Sequence, residues 1–294
     1  MATRTEWELY RSFLAVLTEA SLSGAARALD IAQPTVGRHI AALERALQMP
    51  LFTRSQTGLL PLESALLLRP YAEAMNSAVA ALERAAASHG SGVRGVVRVT
   101  ASEVVGVEVL PPIIGRLRDA HPDLQFELVI SNRMQDLLHR EADIAIRMTR
   151  PDQQLLIAQR IGVVQAGLHA TKRYLERHGT PDTITDLKSH TLIGFDKPTA
   201  FIRAASKSLP IRREMLTVRA DSDLVQLALI RSGAGIGFCQ VPIGKRDGLV
   251  RVLARQVSLP LDTWIAMHED LRHSPRCRVT FDALVDGLRD HITL

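Results

Sequence analysis

The chain has 294 residues, of which 46% are hydrophobic and 23% are charged, and this composition is typical of a globular protein with two or three domains. It holds no run of 18 apolar residues and no apolar segment near Met1, so we expect neither a membrane span nor a secretion signal, and we expect a cytoplasmic protein. The net charge of +5 permits a nucleic-acid partner, but six arginines and six acidic residues cancel within residues 1–65. Cys239 and Cys277 lack metal-ligand spacing and predict reduced thiols.

The first 65 residues predict three helices and a hairpin. The second helix begins after Ser21 and Ser23, whose hydroxyls can cap its first turn. The third helix opens at Gln33-Pro34, because proline is tolerated in a first turn, and a strand-like segment then turns at Gly58. This order predicts a winged helix-turn-helix. The apolar positions that support the first and third helices are Leu9, Phe13, Val16, Leu17, Val36, Ile40, Leu43 and Leu47.

A long helix is predicted from Ala65 to about Ser88. Its apolar residues alternate spacings of four and three, which is the heptad pattern of a helix that pairs with another; a solvated alanine-rich helix is the alternative. Pro70 must lie near the start of this helix or kink it. We expect the seam to hold a dimer, through Leu68, Met75, Val79 and Leu82.

Beyond the flexible joint His89-Gly90-Ser91-Gly92, strands alternate with helices, which predicts βαβ units and a mainly parallel sheet. The segment Gly233 to Gly237 follows a predicted helix and precedes a strand, the reverse of the order in a dinucleotide-binding loop, and predicts a helix C-cap and turn. Strands are predicted at 96–99, 124–130, 142–146, 162–170, 192–195, 236–240 and 264–268, and helices at 105–120, 135–139, 221–231 and from about 275.

Three segments of the N-terminal region carry a family resemblance. Residues 13–29 read FLAVLTEASLSGAARAL, residues 33–44 read QPTVGRHIAALE and residues 50–54 read PLFTR. With the long helix and a sensor that opens at Gly95-Val-Val-Arg-Val-Thr100, the whole chain resembles the LysR-type transcriptional regulators. The resemblance implies a winged helix-turn-helix, a linker helix and an α/β sensor whose two lobes look like a periplasmic binding protein.

The predicted third helix fits a B-DNA major groove, where residues near its N-terminus reach base edges. The Gln33 amide can pair with adenine, Thr35 can contact thymine, and Arg38 can bind guanine or a phosphate. By resemblance, Gln33, Pro34 and Arg38 are recognition-helix positions, and Arg54 contacts a phosphate from the wing.

Several positions depart from the family pattern. Ala32 stands where a serine usually caps the recognition helix, at a cost of about 1 kcal/mol, and Gly37 stands where a serine commonly points at DNA. Gln48 replaces a glycine expected at the helix end, and Leu62 and Ala65 replace the usual threonine and glycine. We expect these changes to alter the operator and the affinity for it, not the fold.

The effector site is predicted from strand ends, because ligands of doubly wound sheets bind beyond the carboxyl ends of strands. Thr100-Ala101-Ser102 and Ser131-Asn132 follow the first two sensor strands, and amide donors before Val105 favour an anion. The resemblance adds Phe195, Phe201 and Asp221 from the other lobe. These positions predict a small anionic metabolite, provided that Arg147 or Arg203 neutralises Asp221.

The sequence therefore predicts a regulator with three parts. Residues 1–65 form the DNA-binding domain, 66–90 the linker helix and 91–294 the effector-binding domain, whose lobes are 91–163 with 267–294, and 164–266. We expect operator DNA, a small-molecule effector and a homodimer or homotetramer, with no metal, cofactor or catalytic residue. An enzyme would need a clustered nucleophile, metal or cofactor motif, and a transport solute-binding protein would need an export signal.

Overall fold

The computed structural model describes residues 6–55, 58–86, 92–132, 142–150, 156–197, 203–204 and 209–293. The chain divides into two compact units, one of which ends at Ala87, while the other begins at Ser88. In the described part of the chain, no helix combines the length and apolar character that crossing a bilayer requires.

The N-terminal unit is the predicted winged helix-turn-helix followed by a long helix. Its core is built from the apolar faces of the first three helices and from Leu51, and Phe13, Val16, Val36, Leu43 and Leu51 are fully buried. The two strands pair antiparallel, so that they form a hairpin wing. The elements are α1 (Trp7–Glu19), α2 (Leu22–Leu29), α3 (Gln33–Leu47), β1 (Phe52–Ser55), β2 (Gly58–Pro61) and α4 (Glu63–Ala86).

Helix ends in this unit follow the predicted signals. The Ser21 hydroxyl accepts a hydrogen bond from the Gly24 amide at 3.0 Å and caps α2. Ala32 occupies the N-cap of α3 without a side-chain bond, so the predicted loss of a cap is confirmed. Gln48 ends α3 in the left-handed conformation, with φ of 54°, where glycine would carry no steric cost.

Helix α4 continues through Pro70, which lies at its eighth position, past the first turn. Ala65 and Ala72 are buried in the N-terminal core, and Leu68 packs against the same core. The first half of the predicted seam therefore contacts the chain's own domain. Met75 and Leu82, further along, are 39% and 69% exposed.

The C-terminal unit contains a nine-stranded sheet. Strands β4, β3 and β5 form the sheet of the first lobe, and β9, β7 and β8 form that of the second, with β10 beside β6. Within each lobe the neighbouring strands are parallel. The strands are β3 (Gly95–Ala101), β4 (Leu124–Ile130), β5 (Ile144–Arg147), β6 (Leu156–Ala170), β7 (Leu192–Gly194), β8 (Val218–Arg219), β9 (Ile236–Gln240), β10 (Val250–Arg251) and β11 (Leu259–His268).

Two long strands, β6 and β11, join the lobes and correct one prediction. They pair antiparallel with each other, β11 pairs antiparallel with β5, and β6 pairs antiparallel with β9. The sheet is therefore mixed, and the prediction of a mainly parallel sheet was wrong. Both strands are longer than predicted, because each runs from one lobe into the other, and their register shifts between Thr263 and Trp264.

Helices cover the strands of both lobes. A helical segment starts at Glu103, passes through a π-helical stretch at Val105–Val109 and continues as α5 (Leu110–Ala120). The predicted helix at 135–139 lies outside the described residues. As predicted, Gly233 follows the end of α7 in the left-handed conformation, with φ of 79°. The remaining helices are α6 (Lys172–His178), α7 (Asp223–Arg231), α8 (Val241–Arg246) and α9 (Pro275–Thr293).

Candidate DNA-binding surface and effector cavity

The outer face of α3 carries the predicted DNA-reading residues. Val36, Ile40 and Leu43 are buried on its inner face, which leaves the other side of the helix to solvent. Gln33, Pro34 and Arg38 are exposed and Thr35 is half-buried. An Nη2 atom of Arg38 donates to the Thr35 hydroxyl at 3.1 Å, so these two side chains form one polar group at the start of the helix.

Glu44 fixes the wing against α3. Its Oε1 atom accepts hydrogen bonds from the backbone amides of Leu51 and Phe52, at 2.7 and 3.3 Å. The carboxylate thereby holds the start of β1, the strand that contains Arg54, against α3. Sequence reasoning quoted Glu44 for its place in the family segment but missed this role, because its partners are backbone groups seven and eight residues away.

An apolar stripe runs along the exposed side of α4. It includes Tyr71, which is 69% exposed, together with Met75 and Leu82 of the predicted seam, while Val79 is half-buried. A surface helix rarely leaves large apolar residues in a row to water unless another chain covers them.

A cavity of about 520 Å³ lies between the two lobes of the C-terminal unit. The first lobe contributes Ser102 and Asn132 beyond the ends of β3 and β4, and the buried Arg147 at the end of β5. The second lobe contributes Phe195 and an apolar wall behind it. The charged residues among the described lining are Arg147, Arg203, Arg212, Arg213 and Asp223.

Ser102, Asn132 and Phe195, all predicted to contact effector, line this cavity. Four other predicted residues, Thr100, Ala101, Ser131 and Asp221, are absent from the described lining. Thr100 and Ala101 are buried in β3, and the Thr100 hydroxyl donates to the Val129 carbonyl and accepts from Nη2 of Arg147. Ser131 donates its amide to the Ala101 carbonyl at 3.0 Å and, like Thr100 and Ala101, is absent from the described lining.

Asp221, an effector contact by resemblance, lies outside the described lining, whereas Asp223 belongs to it. The Asp221 carboxylate accepts hydrogen bonds from the backbone amides of Asp196 and Lys197, at 2.9 and 2.7 Å, so it holds a loop. The helix was predicted to begin at 221, but α7 begins at Asp223. Phe201 lies outside the described residues.

Four residues form a polar latch between the lobes: Glu103, Asn132, Ser222 and Asp223, of which Asn132 and Asp223 line the cavity. The Asn132 side chain accepts from the Glu103 amide at 3.1 Å and donates to the Asp223 carboxylate at 2.9 Å. The Ser222 hydroxyl donates to the Glu103 carboxylate at 2.9 Å. Burial, together with the nearby charge of Glu103, raises the pKa of Asp223 to about 6, and Asn132 partly opposes the shift.

A second interlobe contact is ionic. The guanidinium of Arg231 binds both carboxylate oxygens of Glu108 at 2.8 Å, and Arg246 and Asp247 complete the cluster. Hydrogen bonds from Arg231 lower the pKa of Glu108 to about 2, against the opposing effect of burial and with the help of Arg246. Glu108 lies on the π-helical stretch of the first lobe, so this cluster ties that helix to α7 and α8 of the second.

Family models match both units of the chain. Residues 7–65 match the bacterial regulatory helix-turn-helix protein, lysR family, and residues 90–289 match the LysR substrate binding domain. The first match covers α1 to the wing, and the second covers the cavity and both lobes.

Individual relatives agree with this assignment. The regulator CrgA from Neisseria meningitidis is 27% identical over 98% of this chain and 99% of its own, and its structure superposes with a TM-score of 0.58 over 97% and 99% of the two chains, at 25% identity. A regulator from Xanthomonas campestris is 26% identical over 63% of this chain, and the match spans 54% of that relative.

A third likeness concerns the fold alone. The structure of CbnR, a LysR family regulator, has a TM-score of 0.67 at 16% identity, over 98% of this chain and 99% of that chain. Together with the two family models, these matches identify the protein as a member of the LysR-type transcriptional regulators, with a helix-turn-helix DNA-binding domain and a C-terminal effector-binding domain.

Proposed function

We propose that this regulator controls transcription from a promoter operator, and that an anionic metabolite in the interlobe cavity sets its activity. The observation that carries the proposal is the charge of the cavity. Its described lining holds four arginines and one aspartate, and that aspartate, Asp223, has a pKa raised to about 6. Such a wall attracts a carboxylate or phosphate and disfavours a cation.

The DNA contacts proposed for the N-terminal domain rest on exposure and chemistry. Gln33, Thr35 and Arg38 offer an amide, a hydroxyl and a guanidinium at the free end of α3, next to the exposed ring of Pro34. These groups suit base edges in a major groove, and Arg54 on the wing suits a phosphate.

The effector contacts proposed for the C-terminal domain centre on Ser102, Asn132 and Phe195, which line the cavity. Four other predicted residues support this site without lining it. Thr100 holds Arg147, Ala101 and Ser131 join the ends of two strands, and Asp221 holds the loop at 196–197. We extend the proposal to Phe201, for which the family resemblance is the support.

The assembly proposed is a homodimer or homotetramer of a three-part chain. The DNA-binding domain spans 1–65, the linker helix 66–90 and the effector-binding domain 91–294, with lobes 91–163 plus 267–294, and 164–266. The exposed residues Met75 and Leu82 support dimerisation through α4. Because its proposed partner is chromosomal DNA, we place the protein in the cytoplasm, as a regulator and not an enzyme.

The effector proposal is tested by a thermal-shift screen of the full chain with organic acids, amino acids and amines. An anionic ligand at about 100 times its dissociation constant should stabilise the protein by roughly 2.7 kcal/mol. The same ligand should change the affinity for operator DNA, and Ser102→Ala should weaken its binding. Stabilisation by amines alone would contradict the proposed charge of the site.

A further inference from the structure

The two walls of the interlobe cavity differ in polarity. Of the six described lining residues in the first lobe, four are polar or charged: Ser102, Asn132, Arg147 and Thr149. Of the 22 described lining residues in the second lobe, 15 are apolar side chains. A ligand that fills the cavity therefore meets mainly hydrogen-bonding groups on the first-lobe side and mainly hydrocarbon on the second-lobe side, where Arg203, Arg212 and Arg213 are the described cations.

The apolar wall is continuous with the core of the second lobe. Leu168, Leu192 and Ile236 line the cavity and are also members of one buried cluster of that lobe. Leu227 and Ile243 line it from the neighbouring cluster. The cavity is thus lined by members of two hydrophobic clusters of the second lobe.

Three polar side chains of the second-lobe wall, Gln226, Gln240 and Arg213, are engaged with the protein itself. Gln226 donates to the Ala220 carbonyl at 2.8 Å, and the Gln240 amide oxygen is 3.0 Å from Nε2 of His291. Arg213 forms an ion pair with Asp196. A sugar or an amino acid placed against the apolar part of this wall would leave hydroxyl or ammonium groups without partners, and each unpaired group costs on the order of tenfold in affinity.

We infer that the effector is an amphipathic acid: a single carboxylate carried on an apolar body, either an aliphatic chain or an aromatic ring. Its carboxylate lies toward Ser102 and Arg147, and its apolar body lies against Leu168, Ile211 and Phe238 of the second lobe. The inference rests on the proposed function, whose anionic effector it narrows to one chemical class. Burial of the apolar body supplies the affinity, and the polar wall fixes the orientation.

The test uses the full chain and carboxylates of graded apolar size: acetate, butanoate, hexanoate and octanoate, with phenylacetate as the ring compound and succinate as the polar acid. Isothermal titration should show affinity rising by about fourfold per added methylene until the cavity is full. Octanamide and octylammonium, which keep the body and change the head group, should bind at least tenfold more weakly than octanoate. Succinate that binds as tightly as octanoate would overturn the inference, and so would octylammonium that does.

Two variants locate the apolar body. Ile211→Trp fills the cavity from the second lobe, so octanoate should lose at least tenfold in affinity while acetate changes little. Val250→Trp, at an exposed position outside the described lining, is the matched control. Equal losses of octanoate affinity in both variants would overturn the placement. If Ile211→Trp fails to fold, the titrations of the wild type with graded carboxylates still test the inference.

Failure of this inference can be told apart from failure of the proposed function. If polar acids bind and change operator affinity while octanoate and phenylacetate do not, the inferred effector class is wrong, but the proposed function as a regulator is retained. If the wild-type chain selects no DNA sequence, the proposed function fails whatever the titrations show.

Discussion

Asp223 is a half-buried, titratable residue that contacts the other lobe and lines the cavity. Its carboxylate accepts from Asn132 of the other lobe, lines the cavity and has a pKa raised to about 6. The group is therefore ionised at pH 8 and mostly protonated at pH 5. Glu103 is the other carboxylate beside it, and Arg147 and Arg203 are cations in the same lining.

We predict that anionic ligands bind more tightly as the pH falls through 6. Below that pH Asp223 is neutral and no longer repels the ligand, whose own carboxylate stays ionised down to about pH 5. The gain between pH 8 and pH 5.5 should be on the order of tenfold. Titration calorimetry at both values measures it, and Asp223→Asn should give tight binding at each. Glu214→Gln, an exposed carboxylate outside the described lining, should keep the pH dependence; an unchanged slope in Asp223→Asn would contradict the assignment.

Glu44 is a second single residue with a defined task. We predict that Glu44→Ala lowers the stability of the wing by about 1–3 kcal/mol, because two backbone amides, one of them in the buried Leu51, lose their acceptor. Glu44→Gln should lose less, since an amide oxygen can still accept. Hydrogen exchange of the Leu51 and Phe52 amides reports the change directly. The exposed Glu8→Ala should leave their exchange unaltered, and equal protection in all variants would refute the role.

At the scale of elements, helices of the N-terminal domain could be read from sequence because the signals are local. Ser21, Pro34 and the apolar spacing of α3 specify ends and faces within a few residues of themselves. The antiparallel pairing of β6 with β11 could not be predicted this way, since residues about 100 positions apart determine it. The same limit explains why Asp223 and the role of Glu44 were missed: neither a cavity between two lobes nor a side chain bonded to backbone several residues away leaves a periodic signal.

The long helix α4 divides its apolar residues between two surfaces. Leu68 and Ala72 pack on the chain's own core, whereas Met75 and Leu82 do not. The heptad spacing alone could not separate these contacts, because both surfaces follow nearly the same period.

We predict that Leu82→Glu disrupts the dimer without harming the monomer fold. Leu82 is 69% exposed in the single chain, so the charge costs nothing there, but it would be desolvated in a paired helix. Sedimentation velocity should show the dissociation constant of the dimer raised by on the order of a hundredfold. The exposed Asn76 lies on another side of α4, and Asn76→Glu should leave the oligomer intact. An unchanged oligomer in Leu82→Glu would assign dimerisation to other surfaces.

At the scale of the whole molecule, the proposed DNA-binding surface and the effector cavity lie in different units of the chain. The two interlobe contacts, the polar latch and the ionic cluster around Glu108, hold the lobes together beside the cavity and along the first-lobe helix. A ligand that enters near the latch competes with these contacts, so its binding energy can shift the arrangement of the lobes.

The affinity ratio between operator and random DNA tests the central claim most directly. Genomic fragments selected by the full chain would supply the operator, and both affinities would be measured at about 150 mM salt, since the ratio depends on ionic strength. The wild type should prefer its operator by roughly a thousandfold or more. Arg38→Ala should lose about 1–3 kcal/mol of binding free energy on the operator and relax one base preference. Arg45 is exposed near the far end of α3, and Arg45→Ala should lose less binding free energy. Equal affinity of the wild type for operator and random duplex would contradict the account.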